Sequence, residues 1–329
     1  ERSSGLQEKI LMRMDDLERF SFVTRSWGLG LKVLRPDIEI AGSPERSEFR
    51  TVIEARDGRR YLLENVPARV CQRKKEIALF LDLLAEQGLK EVLPYRKAAG
   101  GGHLVEHQMK WWQLQPFVTG AALKRPDYAF EEWRGGVMAD FLIALHRCGK
   151  AAGEAAGSEV FSLPSYIRGI IGDMREHDPK HLFRVEAAVR FLKEDFMGAY
   201  PGLPAAFCHG DYHPLNIIWS EGGIKAVIDW EFCGVKPELY DAANMVGCLG
   251  MEDPRSLDGE CVLSFLRRLR ESGVYQPVSW RYFIEMIIAN RFGWMAEWLR
   301  KKDRDMIELE GDYLSILLEN RDYFRGAWR

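Results

Sequence analysis

Three side chains in this sequence are spaced for shared chemistry: Asp211, Asn216 five residues on, and Asp229 beyond a short apolar–turn–apolar stretch. The first two belong to a polar run, His209-Gly210-Asp211-Tyr212-His213-Pro214-Leu215-Asn216, held between apolar Pro204–Cys208 and Ile217–Trp219. Polar loops on rigid supports are where reacting groups tend to sit. The turn at Ser220–Gly223 predicts a hairpin that returns the chain, so that Asn216 and Asp229 meet at one end. An amide oxygen and a carboxylate there make a hard-oxygen site suited to Mg²⁺, which keeps several waters and substrate phosphates. Asp211, close by but free of the metal, can take a proton from a hydroxyl. Phosphoryl transfer needs chiefly positioning and charge neutralisation, and this set supplies both. Taken singly, Asn216 reads as a turn residue and Asp229 as a strand-end cap. A zinc reading of His209 and His213 lacks a third Cys or His at ligand spacing.

The elements that must position these residues change character along the chain. Before residues 115–120 the pattern is mostly strand. Asp37–Ala41 and Phe49–Ala55 read as strands joined by a turn at Gly42–Glu45, and Asp57-Gly58 is a hairpin signal leading into Arg60–Val66. A helix follows from about Gln72 to Gln87, with Ile77, Phe80, Leu81 and Leu84 on one face and Gly88 as its stop. Val92–Lys97 and His103–Leu114 read as two further strands around Gly100–Gly102, which read as a turn rather than a phosphate cradle because no helix follows. Trp111 and Trp112 read as packing residues. After Gly120 helices dominate: Trp133 to Leu145, Tyr166–Arg175, Lys180–Lys193 and Gly259 to Tyr323, with Ile224–Ile228 an inserted strand. The expectation is a small sheet with one helix, a connector and a larger helical lobe, with the ligand in a cleft between lobes.

Composition narrows the function classes. The chain has 329 residues and a net charge of -3, so no basic excess points to nucleic acid or an anionic membrane. No apolar run is long enough to span a bilayer, and the opening ERSSGLQEKI does not read as a signal peptide. The scattered cysteines 71, 148, 208, 233, 248 and 261 read as free thiols of a cytoplasmic protein. The runs Arg73-Lys74-Lys75 and Arg300-Lys301-Lys302 read as solvated faces.

His209–Asn216 followed by Val227-Ile228-Asp229-Trp230-Glu231-Phe232-Cys233-Gly234 and Leu239-Tyr240-Asp241 resembles the aminoglycoside phosphotransferase and choline kinase-like superfamily. The resemblance is strong over 207–247, fair over 49–146 and loose at both termini. Leu145-His146 and the aromatic stretch from Asn290 to Trp298 also resemble it. It implies an α+β, protein-kinase-like bilobal fold: a nucleotide-binding lobe over 1–115, a hinge at 116–120 and a helical catalytic and substrate lobe over 121–329. Asp211 then resembles the catalytic base, Asn216 and Asp229 the Mg²⁺ ligands, and His209 and Asp241 the braces of the loop. Pro116 and Val118 resemble the backbone positions that hold the adenine of ATP. Gly42, Ser43 and Arg46 fall in the phosphate loop, which is poor in glycine. Glu231, Trp294 and Trp298 are candidates for the acceptor pocket, although a Trp pair four residues apart also reads as core. The implied function is ATP- and Mg²⁺-dependent transfer to a hydroxyl of a small metabolite of the choline, ethanolamine, homoserine, sugar or aminoglycoside class. The eleven residues between Asp229 and Asp241 are too few for the peptide-docking segment of a protein kinase.

One position departs from the pattern. The third strand should carry a phosphate-binding lysine, and here it reads Tyr61-Leu62-Leu63-Glu64. Glu76 resembles the lysine's usual helix partner, so two acids would face each other without a cation. Arg46, Arg50, Arg69, Lys74 and Lys75 are the candidates to neutralise them. The alternative is a binding or structural pseudokinase, of the spore-coat-like kind, in which Glu64 has impaired nucleotide use.

Overall fold

The computed structural model describes residues 18–41 and 47–329. They group into two compact units: the described residues up to Gly120 with Lys225–Asp229, and Ala121–Ile224 with Trp230–Arg329.

The first unit is built on one antiparallel sheet. A helical segment α1 (residues 18–25) precedes strands β1 (Leu31–Arg35), β2 (Phe49–Ala55) and β3 (Arg60–Val66), helix α2 (Cys71–Glu86), and strands β4 (Leu104–His107) and β5 (Lys110–Pro116), in the order β1-β2-β3-β5-β4. Alternation along the strands divides the side chains between two faces. One face buries Ile53, Tyr61, Leu63, Trp112 and Leu114 against Phe20, Val23 and Trp27. Glu64 is on the other, opposite Arg50 on β2 and Gln113 on β5. The Asp57-Gly58 turn forms as expected: Gly58 has φ +81°, and the Asp57 carboxylate accepts the Arg59 N–H at 3.0 Å. Helix α2 buries Ile77, Phe80, Leu81 and Leu84, and Gly88 follows it at φ +94°.

Three strand expectations are corrected. Residues 37–41 are not a strand; the edge strand is Leu31–Arg35. Pro36 cannot donate to a ladder, and the Asp37 carboxylate folds back onto the Arg35 guanidinium at 2.7 Å. Residues 92–97 form no regular strand and are tied down by the Arg96 N–H on the Leu114 carbonyl at 2.7 Å and by the Trp27 indole N–H on the Arg96 carbonyl at 2.8 Å. His103–Leu114 is two strands rather than one. Gln108 and Met109 both take the left-handed conformation (φ +51° and +57°) of a two-residue hairpin turn, without the Asn or Gly that would announce it.

The second unit is mainly helical. It holds α3 (Glu132–Cys148), α4 (Lys150–Ala156), α5 (Leu163–His177), α6 (Phe183–Glu194) and α7 (Phe196–Ala199), then strands β6 (Ala205–Cys208) and β7 (Ile217–Trp219). Strand β8 (Ile224–Val227) follows a turn closed by the Ser220 N–H on the Gly223 carbonyl at 2.9 Å. From Lys225 to Asp229 the chain groups with the sheet unit, where the Val227 N–H donates to the Glu91 carbonyl at 2.7 Å. Strand β9 (Gly234–Pro237) pairs with β6, and α8 (Tyr240–Glu252), α9 (Glu260–Glu271), α10 (Pro277–Arg281), α11 (Phe283–Lys301), α12 (Arg304–Glu319) and α13 (Arg321–Ala327) complete the chain. The six cysteines are free thiols. No helix of the described residues is long and apolar enough to cross a membrane.

Candidate active site

The loop between β6 and β7 is braced from below by Asp241. This residue lies in the first turn of α8, 3% exposed, and its carboxylate accepts the His209 N–H at 2.6 Å and the Gly210 N–H at 2.8 Å. Burial lifts its pKa above the ordinary carboxylate value, while His209 and the two N–H groups pull the other way. Gly210 has φ +84°, and a Cβ there would lie 2.1 Å from the Phe232 carbonyl oxygen. Only glycine fits that turn.

His209 is fully buried, with its ring 4.5 Å from that of Trp230, and its Nδ1 accepts the Asp211 N–H at 3.2 Å. The backbone of Asp211 is thus fixed while its side chain remains partly exposed. Further anchors hold the loop from both sides. The Tyr212 hydroxyl donates to the Met138 carbonyl at 3.2 Å, Asn244 Nδ2 to the Tyr212 carbonyl at 3.2 Å, and the Trp219 indole N–H to the Pro214 carbonyl at 3.0 Å.

Asp211 and Asn216 are brought together. Asn216 Nδ2 donates to the Asp211 backbone carbonyl at 3.0 Å and to its carboxylate Oδ2 at 3.1 Å. With both bonds made through nitrogen, the amide oxygen Oδ1 accepts no hydrogen bond among the described residues. An amide clamped by its nitrogen and open at its oxygen fits a hard cation such as Mg²⁺. Asp229 ends the Lys225–Asp229 stretch, half-buried, in the left-handed conformation at φ +62°. Aspartate tolerates that region better than most residues, and outliers of this kind cluster at functional sites.

His213 Nε2 lies 3.5 Å from the same Asp211 Oδ2 that Asn216 bonds. The His213 ring packs edge-on to Trp294 at 5.6 Å, and Trp294 lies 5.9 Å from Trp298, both indoles half-buried on α11. The Trp298 indole N–H points at Glu310 (3.4 Å), which also holds Arg291 through two 2.6 Å bonds. The two tryptophans are partly exposed, and Trp294 reaches Asp211 through the ring of His213. Glu231 is half-buried in a single helical turn, Trp230–Phe232.

In the sheet unit, Pro116 ends β5 opposite Tyr61, and Val118 follows, half-buried. Gly42, Ser43 and Arg46 lie outside the described residues. Glu64 is 7% exposed, and its two oxygens accept from Ser47 Oγ at 3.1 Å and Gln113 Nε2 at 2.6 Å. The expected confrontation of Glu64 with Glu76 is corrected. Glu76 is on the outward side of α2, its side chain 43% exposed, bonded to Gln72 and near Arg73. The reading of Arg73-Lys74-Lys75 as a solvated face is corrected at its middle residue: Lys74 is 4% exposed. The signal was in the helix phase, since Lys74 lies three and seven residues before the buried Ile77 and Leu81.

A model of the phosphotransferase enzyme family (APH) matches residues 40–278. Among solved structures, the chain is similar to an aminoglycoside phosphotransferase from Alicyclobacillus acidocaldarius: 14% identity, 89% of this chain and 92% of that one covered, TM-score 0.61. It is similar to the macrolide 2'-phosphotransferase MphH from Brachybacterium faecium, at 19% identity, 91% and 98% coverage and TM-score 0.61. The amicoumacin kinase hAmiN, solved with AMP-PNP, Ca²⁺ and Ami, matches at 13% identity, 95% and 96% coverage and TM-score 0.63. No curated protein matches the sequence. The fold is accordingly the α+β, protein-kinase-like fold of these phosphotransferases.

Proposed function

Because the chain belongs to the phosphotransferase enzyme family, we propose that it transfers the terminal phosphoryl group of ATP to a hydroxyl of a small organic acceptor. The observation that carries this reading is the Asp211–Asn216 pair, one carboxylate oriented by an amide whose own oxygen is left open. Asp211 holds the acceptor hydroxyl and takes its proton as the oxygen bonds to the γ-phosphorus, the bond to the bridging oxygen breaks, and ADP leaves. Asn216 and Asp229 would hold Mg²⁺, which neutralises charge on the phosphates. His209 and Asp241 keep the loop in place. Pro116 and Val118 present backbone groups to the purine, and Gly42, Ser43 and Arg46 belong to the phosphate loop.

Trp294 and Trp298, with Glu231, are proposed to border the acceptor, where indole faces suit an amine-bearing or ring-shaped molecule. The similar proteins are named for aminoglycoside, macrolide and amicoumacin substrates, so the acceptor panel should set these beside choline, ethanolamine, homoserine and simple sugars. The test is a phosphate-release and acceptor-transfer assay with ATP and with GTP. Asp211→Asn should reduce turnover by roughly 10²–10⁴-fold while leaving nucleotide affinity within a factor of about three. Turnover persisting in that variant would remove Asp211 from the role of base.

A further inference from the structure

The helical unit holds a cavity of about 660 Å³ whose lining includes no residue of the Asp211 loop. It lies among α6, α7, α9, α10, α11 and α13. Its last residue on α11 is Glu285. Trp294, whose ring meets His213, lies nine residues further along that helix, roughly 13 Å away.

Arg270 is the unusual member of the lining. Its guanidinium lies over the Trp280 ring, 3.9 Å from the centroid, and its Nε donates to the Trp328 carbonyl at 2.8 Å. Those two contacts fix the orientation of the fork. Neither Nη makes a hydrogen bond or ion pair among the described residues. Burial pushes its pKa down, and no carboxylate offsets that shift. The acids of the cavity are engaged elsewhere or exposed. Asp195 takes Arg281 at 3.2 Å and the Tyr282 hydroxyl at 2.9 Å, Glu285 takes Arg325, and Asp322 takes Arg325 at 3.0 Å. Glu194 is exposed.

An arginine that only ties down the C-terminal helix needs its Nε alone. Here the Nη donors are left open beside aromatic rings: Trp280 lies 5.3 Å from Phe283, and Phe283 lies 5.9 Å from Trp328. Half-dry surroundings of this kind strengthen the attraction of a guanidinium for an anion. The planar fork matches the two oxygens of a carboxylate. A phosphate dianion would call for a second open cation within the walls. Arg281, Arg321 and Arg325 each face an acid, and Arg329 is exposed.

We propose that this cavity is a second ligand site, apart from the candidate phosphotransferase centre, and that it binds a small aromatic carboxylate. Arg270 holds the carboxylate through its Nη groups, and Trp280, Phe283 and Trp328 border the ring. The size of the cavity and its few placed polar groups among aromatic walls suit a small organic ligand.

The full-length protein is titrated calorimetrically with benzoate, with acetate, which has the carboxylate without the ring, and with benzamide, which has the ring without the charge. Benzoate should bind with a Kd on the order of 1 mM or tighter, and the other two at least about tenfold more weakly. Arg270→Gln should weaken benzoate binding by about tenfold or more. Arg270→Lys keeps the cation and guards against misfolding of the first variant; it should still lose about threefold or more, because the fork is gone. A crystal of the wild type soaked in 4-iodobenzoate should show the anomalous peak of iodine inside the cavity. No benzoate binding to wild type overturns the proposal. So does equal affinity for benzoate and either acetate or benzamide, an unchanged affinity in Arg270→Gln, or an iodine peak outside the cavity. None of these outcomes touches the phosphotransferase reading, which rests on other residues.

Discussion

Gly210 is where the candidate catalytic loop has least freedom. Its φ of +84° is one L-residues avoid, and a Cβ would lie 2.6 Å from the Phe232 carbonyl carbon and 2.7 Å from Lys236 Cε as well as against the oxygen. The lysine tip could move, but the Phe232 backbone could not move without disturbing the chain entering β9. Gly210→Ala should therefore cost about 2–4 kcal/mol of stability, combining left-handed strain with overpacking. It should also displace the N–H that Asp241 receives. Urea denaturation gives the first quantity, and the turnover assay should show a loss of kcat larger than any change in KM, since the backbone positions proposed for the nucleotide, Pro116 and Val118, belong to another part of the chain. A folded Gly210→Ala protein with wild-type stability would mean that this turn is not as tight as its geometry indicates.

Helix α3 carries two adjacent glycines whose surroundings differ sharply, and helix phase is the reason. At Gly135 a Cβ would lie 2.0 Å from the Cys261 carbonyl oxygen and 2.3 Å from Ser264 Oγ, both on α9; at Gly136 nothing lies within 4 Å. Ser264 Oγ uses that close approach to donate to the Glu132 carbonyl at 2.8 Å. Gly135→Ala should destabilise by roughly 2 kcal/mol or more by prising α3 from α9, whereas Gly136→Ala should stabilise by up to about 1 kcal/mol through helix propensity alone. Thermal melting of the two variants side by side checks both signs. The same phase logic explains what was legible in the sequence. Helices α2, α3, α5 and α11 are readable because apolar residues recur at helical spacing. The polar loop of Asp211 and Asn216 is readable because apolar strands bound it. The Gln108-Met109 turn is not, because two ordinary residues were driven into the left-handed region by the pairing of β4 with β5. The inward turn of Lys74 is hidden by its charged neighbours, although Ile77 and Leu81 set the phase that gives it away.

Across the whole chain the charge is nearly balanced, -3 over 329 residues, so no long-range field gathers an anionic nucleotide. Recognition must come from local groups, and any divalent metal that bridges protein and phosphates then becomes a large share of the nucleotide's hold. This makes global stability a readout of metal use that needs no knowledge of the acceptor. A ligand at a hundredfold excess over its Kd stabilises the folded chain by roughly 2.7 kcal/mol. If Asp229 helps to hold Mg²⁺, ADP should raise the melting temperature, Mg²⁺ should add a further increment, and EDTA should remove that increment alone. Asp229→Asn is the informative substitution. Asparagine accepts the left-handed φ of +62° as readily as aspartate, so the backbone is kept while the charge is lost. The stabilisation by ADP without metal should be unchanged in the variant, and the Mg²⁺ increment should shrink to near zero. Retention of the full increment would assign the metal to other groups and return the unusual backbone of Asp229 to a purely structural origin, a strand end turned sharply after Val227.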